Sequence, residues 1–389
     1  MHWAFWISIV LLVYVHAGYW LLLRILPGRR RARVDQPLPA VSLIIPAHNE
    51  AQCLAAKLRN ALDEIDYPGE LLEVIVASDA SSDATVAIAR SFEPRGVRVL
   101  DFDQRRGKAS VLNDAVAAAS HDVLCLCDAN VFFESQALRR LVARLAEQGV
   151  GAVTGDVKLG SEDSNFGRGE SLYYGLERSI QADESRIGTT ICVDGGMYVL
   201  RRELYGKLPS DTILDDFVTS MNVIRVRQAV VYEPCAVAHE DGLPFARQEF
   251  ARRIRVSAGA AQAVKRGDFP PPWRVVTFWQ FASHKLLRWG GPIWLVALLI
   301  SSAALSLRND LFGLALVAQL LFYAVALAAA FSLRVRESWF GGMTFYFVMS
   351  HVAMVVGSFK GILNLQDAAW KRTERSHLEI PTQAATGAS

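Results

Sequence analysis

The run LCLCDANVFF, Leu124 to Phe133, is apolar except where Asp128 and Asn130 interrupt it two residues apart. A carboxylate and an amide oxygen in that position suit a hard divalent cation, Mg2+ or Mn2+, which keeps water or phosphate in the rest of its shell. Three earlier apolar runs end in a similar way, in PAHNE with Glu50, SDASSD with Asp79 and DQRRGK with Lys108. Polar loops and acidic turns are common, so each of these is weak by itself. Gathered in one place they would offer carboxylates, an ammonium and glycine backbone, a set suited to a ligand with ribose-type hydroxyls and phosphate charge. Farther on, LDDF supplies Asp215 and Asp216, and QEFARRIRV supplies Arg252, Arg253 and Arg255. A carboxylate can take the proton of an attacking hydroxyl, and guanidinium forks match phosphate oxygens. The alternative for the aspartate pair is two ordinary first-turn acids favoured by a helix dipole.

For these groups to meet, the chain must bring its strand ends together. VSLIIP, LEVIVA, VRVLD and DVLCLC are β-branched or continuously apolar runs. Between them lie helical patterns near Glu50 to Glu64, from about Asp83, and from Ala109 to Ala119. That order predicts an α/β fold with a mostly parallel sheet and helices on both faces. Ligands then sit beyond the carboxyl ends of the strands, where the residues above lie. No GxGxxG follows the first strand and no GxxxxGK[ST] occurs, which excludes the usual dinucleotide and P-loop signatures. His48 reads as a pocket-wall residue, and His239 with Glu240 as a structural turn at least as readily as a catalytic pair.

Composition sets the outer frame. Of 389 residues 52% are hydrophobic, while 41 Lys+Arg nearly balance 39 Asp+Glu, so no nucleic-acid partner is expected. The apolar excess collects in Trp3 to Leu23, Trp289 to Leu307, Leu311 to Leu333 and Trp339 to Phe359. Each approaches the ~20 residues needed to cross a bilayer. The first lacks a basic stretch before it and a small-residue cleavage site after it, and reads as a retained anchor. RRRAR (Arg29 to Arg33) follows it, which by the positive-inside bias places the next domain in the cytoplasm. Cys53, Cys125, Cys127, Cys192 and Cys235 all fall in that domain, where disulfides are rare, and Cys125 and Cys127, two apart in a strand pattern, read as small core residues.

VSLIIPAHNE, VIVASDASSDAT, RRGKASVLNDAVAAA, LCLCDANVFFE and VDGGMYVLRREL together resemble the successive blocks of family 2 glycosyltransferases, inverting enzymes of the GT-A fold. The likeness runs from about Val41 to Lys265, and the flanking apolar segments are similar to those of the cellulose, hyaluronan and poly-N-acetylglucosamine synthase branch. The resemblance implies a nucleotide-sugar donor, a UDP-sugar first. It implies that Glu50 and Asp79 hold the base and ribose, that Lys108 lies near the diphosphate, and that Asp128 and Asn130 hold Mg2+ or Mn2+. Asp194 and Gly195 of VDGG then line the sugar and acceptor site, Asp216 is the base with Asp215 beside it, and Arg252, Arg253 and Arg255 grip the diphosphate. Val256 stands where the family's tryptophan would, a departure that bears on processive elongation.

The organisation expected is an anchor at 1–26, a basic linker at 27–40, a GT-A domain at 41–269, an interfacial amphipathic helix at 270–288, about three membrane segments in 289–363 and a polar tail at 364–389. In the interfacial helix the aromatic residues would face the membrane, and Lys285 and Arg288 the head groups. The activity implied is sugar transfer at the inner membrane to a growing polysaccharide or glycolipid of the cell envelope, with polysaccharide export or synthase subunits as partners. Single transfer to a polyprenyl phosphate or other lipid is the enzyme alternative, and a catalytically silent nucleotide-binding partner of a secretion complex the other. Four crossings would put the C-terminus outside, whereas the basic WKRTER (Trp370 to Arg375) favours inside.

Overall fold

The structure, a computed structural model, describes residues 1–32, 34, 36–160, 165–240 and 246–368. WKRTER, and with it the side on which the tail lies, falls outside the described residues. Strand alternation builds the domain. Along Val41–Ala47 (β1), Val41, Leu43, Ile45 and Ala47 join one core cluster and Ile44 the other, as in a strand buried on both faces. Leu72–Asp79 (β2) pairs with β1 in parallel, and Val97–Phe102 (β3) does the same with β2. Val123–Cys127 (β4) pairs in parallel on the other side of β1, and puts Cys125 and Cys127 in the same core cluster.

The second half adds Val131–Phe133 (β5), Val150–Leu159 (β6), Met197–Arg201 (β7) and Ala229–Glu240 (β8). The sheet order is β3-β2-β1-β4-β7-β6-β8-β5. β7 runs antiparallel to both β4 and β6, β5 antiparallel to β8, and β6 parallel to β8. The chain winds outward from β1 to β3, then returns to the other side of β1 as β4. That reversal opens a crevice at the carboxyl ends of β1 and β4.

The helices that matter to the site follow in order. His2–Ile25 (α1) precedes the domain. Leu54–Arg59 (α2), Thr85–Ser91 (α3), Lys108–Ala118 (α4) and Ala137–Leu145 (α5) accompany the first strands. Asn165–Ile187 (α6), Asp215–Arg225 (α7) and Ala246–Arg266 (α8) accompany the later ones. Beyond the domain lie Val275–Trp289 (α9), Gly291–Leu305 (α10), Asp310–Phe331 (α11) and Trp339–Ile362 (α12).

Among the described residues α1, α11 and α12 are long and apolar enough to cross a membrane. The remaining apolar segment differs in form from the sequence expectation. α10 has 15 residues, about 22 Å of helix against the ~30 Å of a hydrocarbon core. It meets α9 at a 58° bend at Gly290-Gly291-Pro292, so α9 and α10 together form either one broken span or a re-entrant pair. α9 also turns its basic residues inward: Lys285 Nζ lies 2.8 Å and Arg288 Nη1 2.5 Å from the Glu177 carboxylate of α6.

α12 braces α8. Side chains at Gly357 and Gly361, four residues apart on one face of α12, would collide with the α8 backbone at Ile254 and Ala258, so glycine permits the close approach. Lys265 Nζ donates to Ile362 O across the same seam at 3.1 Å.

Candidate active site

The crevice is a cleft of about 280 Å³. β1 brings Pro46 and the following loop brings Glu50; the loop after β4 brings Asp128 and Asn130; β8 ends in it with Glu240. α4 begins in it with Lys108, α7 with Asp215 and Asp216, and α8 passes it with Arg252 and Arg255. Asp194 and Gly195, just before β7, complete the wall.

Lys108 sits at the centre. Its Nζ is 2.9 Å from Asp128 Oδ1 and 3.4 Å from Asp215 Oδ2. Burial works against the charged lysine, yet Asp128 and then Asp215 outweigh it and hold the ammonium above its usual range. Its position is set by the turn before α4. Gly107 has φ +84°, a left-handed conformation natural to glycine, and the Gly107 and Arg106 N–H groups donate to Asp79 at 2.9 and 2.7 Å. Asp79 is fully buried and lies outside the cleft wall, with both carboxylate oxygens on that turn.

Asp215 and Asp216 open α7, Asp216 Oδ1 accepting from Phe217 N at 2.7 Å. Burial first, then the Asp215 carboxylate, push the Asp216 carboxyl up to about 7, against the pull of Lys108. Asp216 faces Gly195 so closely that a Cβ on that glycine would stand 3.3 Å from Asp216 Oδ2. Asp194 is itself fixed: Gly196 N donates to it at 2.9 Å, and Arg178 Nη2 of α6 lies 2.5 Å away. Burial raises the Asp194 carboxyl, but Arg178 outweighs it and holds the group below the ordinary range.

The three arginines of α8 part company. Arg252 and Arg255 reach the cleft wall. Arg252 Nε is 2.8 Å from Glu249 Oε2, and its Nη2 donates to Tyr174 of α6. Arg253 is buried away from the cleft, 2.7 Å from Glu249 Oε1 and bonded to the Tyr346 hydroxyl of α12. One residue is 100° of helix, so neighbours on α8 cannot share a face. His48 lies outside the cleft wall, its Nδ1 2.7 Å from Asp79 O; His239 pairs with Glu134 at 3.0 Å.

Two residues escaped the sequence reading. Glu240, read as part of a turn, lines the cleft and accepts from Asn130 Nδ2 at 3.1 Å. Arg178, which clamps Asp194 and lies 3.2 Å from Asp156, sits inside a 23-residue helix with no motif to flag it.

The cleft wall carries six carboxylates, those of Glu50, Asp128, Asp194, Asp215, Asp216 and Glu240, against the cations Lys108, Arg252 and Arg255. A phosphate ligand therefore needs to bring positive charge with it. The donor set fits a hard divalent ion: Asp128 offers carboxylate oxygen, and Asn130, whose Nδ2 is engaged by Glu240, has its amide oxygen left for the ion. Among the described residues no group of three or more His, Cys, Asp or Glu forms a complete metal cage, so ligand phosphates would fill the rest.

The family model described as glycosyl transferase family 2 matches residues 42–208, ending short of Asp215. The poly-beta-1,6-N-acetyl-D-glucosamine synthase of Staphylococcus epidermidis is 24% identical over 241 residues, 60% of this chain and 58% of the relative. The probable glycosyltransferase YdaM of Bacillus subtilis is 36% identical over 132 residues, 31% of this chain and 30% of the relative. The chain thus spans well under two thirds of the length of these relatives. Among solved structures, a mannosyltransferase from Pyrobaculum calidifontis in complex with GDP-Man and Mn2+ matches with a TM-score of 0.69 and 23% identity, over 93% of this chain and 100% of that one, a likeness of fold. Residues 42–208 are thus similar to glycosyltransferase family 2, and the domain shares its GT-A-like fold with the mannosyltransferase.

Proposed function

We propose that this protein is an inverting glycosyltransferase of the inner membrane, its domain on the cytoplasmic side. It moves a hexosyl or N-acetylhexosaminyl group from a nucleotide-diphosphate sugar, a UDP-sugar first, to a growing polysaccharide or glycolipid of the cell envelope. One observation carries the reading: Lys108, Asp128, Asp215 and Asp216 meet in a single cleft at the carboxyl ends of the strands, with Asp194 and Gly195 in the same wall. Lys108, Arg252 and Arg255 take the diphosphate oxygens, Glu50 faces the nucleoside, and Asp79 acts through the turn that presents Lys108. A divalent ion on Asp128 and Asn130 would neutralise charge on the leaving diphosphate. Asp216 receives the proton of the acceptor hydroxyl, and a carboxyl pushed up to about 7 is matched to that task near neutral pH.

A second reading, a single transfer to a polyprenyl phosphate or other lipid, is favoured by Val256. It lines the cleft, 40% exposed, where a tryptophan platform for a growing chain would stand in synthases.

Purified full-length protein in detergent with Mg2+ or Mn2+ is offered UDP-, GDP- and dTDP-sugars, beside the Asp216→Asn variant, and nucleoside diphosphate release is measured. The staphylococcal relatives named for an N-acetylglucosamine polymer and the Pyrobaculum neighbour bound to GDP-Man justify both donors in the panel. Release by wild type alone is expected. Equal release by the variant would remove Asp216 from the mechanism, and silence with every donor would favour the non-catalytic alternative. Sizing the product with lipid and polymer acceptors separates the two enzyme readings.

A further inference from the structure

A second cavity, about 440 Å³, lies where the chain leaves α1 and shares no lining residue with the cleft. Its wall holds Arg29, Arg30, Arg31, Arg144 and Arg186 against one lining carboxylate, Glu147. Glu233 and Asp183 pair with Arg144 and Arg186, so the cations still outnumber the acids. Some of this charge is structural. Arg186 donates to Leu23 O and Leu26 O, at 2.6 Å each, and Arg31 donates to Gly188 O. Arg29 and Arg30 are different: both are exposed, and among the described residues their guanidinium groups meet no acceptor. Arg144 Nη1 lies 2.5 Å from Glu147 Oε1, but its Nε is buried without a hydrogen-bond partner, with Glu233 Oε2 3.9 Å away. The Arg31 guanidinium is pushed below its ordinary value, by burial first and by Arg144 and Arg29 beside it, with Glu147 opposing.

A topology signal accounts for arginines after a membrane helix. It does not account for Arg144 and Arg186, brought from α5 and α6 to the same wall, nor for a buried guanidinium nitrogen left without an acceptor. We propose that this cavity is a binding site for a phosphate-bearing anion, gripped by the paired forks of Arg29 and Arg30 with Arg144 at its back. Guanidinium geometry matches phosphate oxygens two at a time. The site follows α1 by a few residues, which puts it at the head-group level, so the phosphate belongs either to an anionic lipid or to a soluble compound.

The test uses full-length protein in a non-ionic detergent. Dioctanoyl phosphatidylglycerol, dioctanoyl phosphatidylcholine and inorganic phosphate are titrated in turn into wild type, Arg29→Gln/Arg30→Gln and Arg29→Lys/Arg30→Lys, with binding read by native mass spectrometry and calorimetry. Only binding that depends on the two arginines counts, which excludes phosphate held in the cleft. Phosphatidylglycerol should bind wild type and weaken about thirtyfold in the glutamine variant, on the order of fivefold per lost charge. The lysine variant, which keeps both charges, should retain most of the binding and so separates lost charge from damaged folding. Arginine-dependent binding of phosphate but not of phosphatidylglycerol assigns the site to a soluble compound. Equal binding of phosphatidylcholine, or equal binding by wild type and the glutamine variant with both anions, overturns the proposal.

Discussion

Replacing Asp216 by asparagine should make the protein more stable and nearly inactive. A carboxyl that ionises near 3.8 in the unfolded chain and at about 7 in the fold binds its proton more tightly when folded. Folding is then favoured while the group is protonated, and that stability is lost as pH rises through about 7. The difference, roughly 3 pK units at about 1.36 kcal/mol each, is about 4 kcal/mol, and the cleft's opening to water trims it to about 2 kcal/mol. Asparagine carries no charge to bury and keeps an oxygen for the Phe217 N–H. The variant should therefore match wild type near pH 4 and melt roughly 5 °C higher at pH 8. Thermal melts in detergent across that range, without metal or donor, measure the gap. Turnover should fall about a hundred- to ten-thousandfold, and the rise of wild-type activity with pH through about 7 should vanish. Melting curves that coincide at pH 8, or a gap that widens toward acid, would refute the reasoning.

Asn130→Asp should tighten Mn2+ binding in the absence of nucleotide more than it raises turnover, since the donor's phosphates already supply charge once bound; Mn2+ titration of both proteins checks it, and identical affinities would remove residue 130 from the metal site. Arg178→Gln leaves Asp194 beside Asp156 without its cation, and should cost about 2 kcal/mol after allowing for partial exposure. Its turnover should fall more than its thermal stability suggests, with KM for the donor rising too. Glu177→Gln strands Lys285 and Arg288 at the junction of α6 and α9, costs about 3 kcal/mol, and should expose the α9 region to protease before the domain core unfolds.

The strand ends were legible because continuous apolar runs and polar breaks are local features, and a parallel sheet aligns those breaks at one edge. That logic pointed to Glu50, Asp79, Lys108 and Asp128, whereas Asp215 and Asp216 were singled out by the resemblance of LDDF to a family block. The structure puts Asp79 one step back, holding the turn. Pairing between distant segments was not legible. Antiparallel β7 between β4 and β6 depends on long-range register, which no short window encodes. The arginines of α8 illustrate the same limit: the motif names three, but which two meet the cleft depends on helix rotation, and that is set by α12 through Tyr346 and the close approach at Gly357 and Gly361. Lys285 and Arg288 look like head-group anchors in sequence because their acceptor, Glu177, lies more than a hundred residues upstream.

The same helix that captures them explains how membrane and cleft are joined. On α6, Glu177 binds Lys285, Arg288 and the His284 ring of α9, while its neighbour Arg178 clamps Asp194 in the cleft wall. Tyr174, one turn earlier, accepts from Arg252. Further along, Glu184 accepts from the Tyr19 hydroxyl of α1 at 2.6 Å, and Arg186 closes the end of α1 through Leu23 O and Leu26 O. Burial disfavours the ionised Glu177 carboxylate, yet His284, Lys285 and Arg288 together hold it well below its usual range. A carboxylate so held forms a strong tie, and rotating α6 to break it would carry Arg178 away from Asp194. The position of Asp194 is thus referenced to the membrane helices as much as to the sheet. In a transferase whose acceptor is lipid-linked or leaves through the membrane, that coupling would keep the sugar site in register with the place where the acceptor arrives.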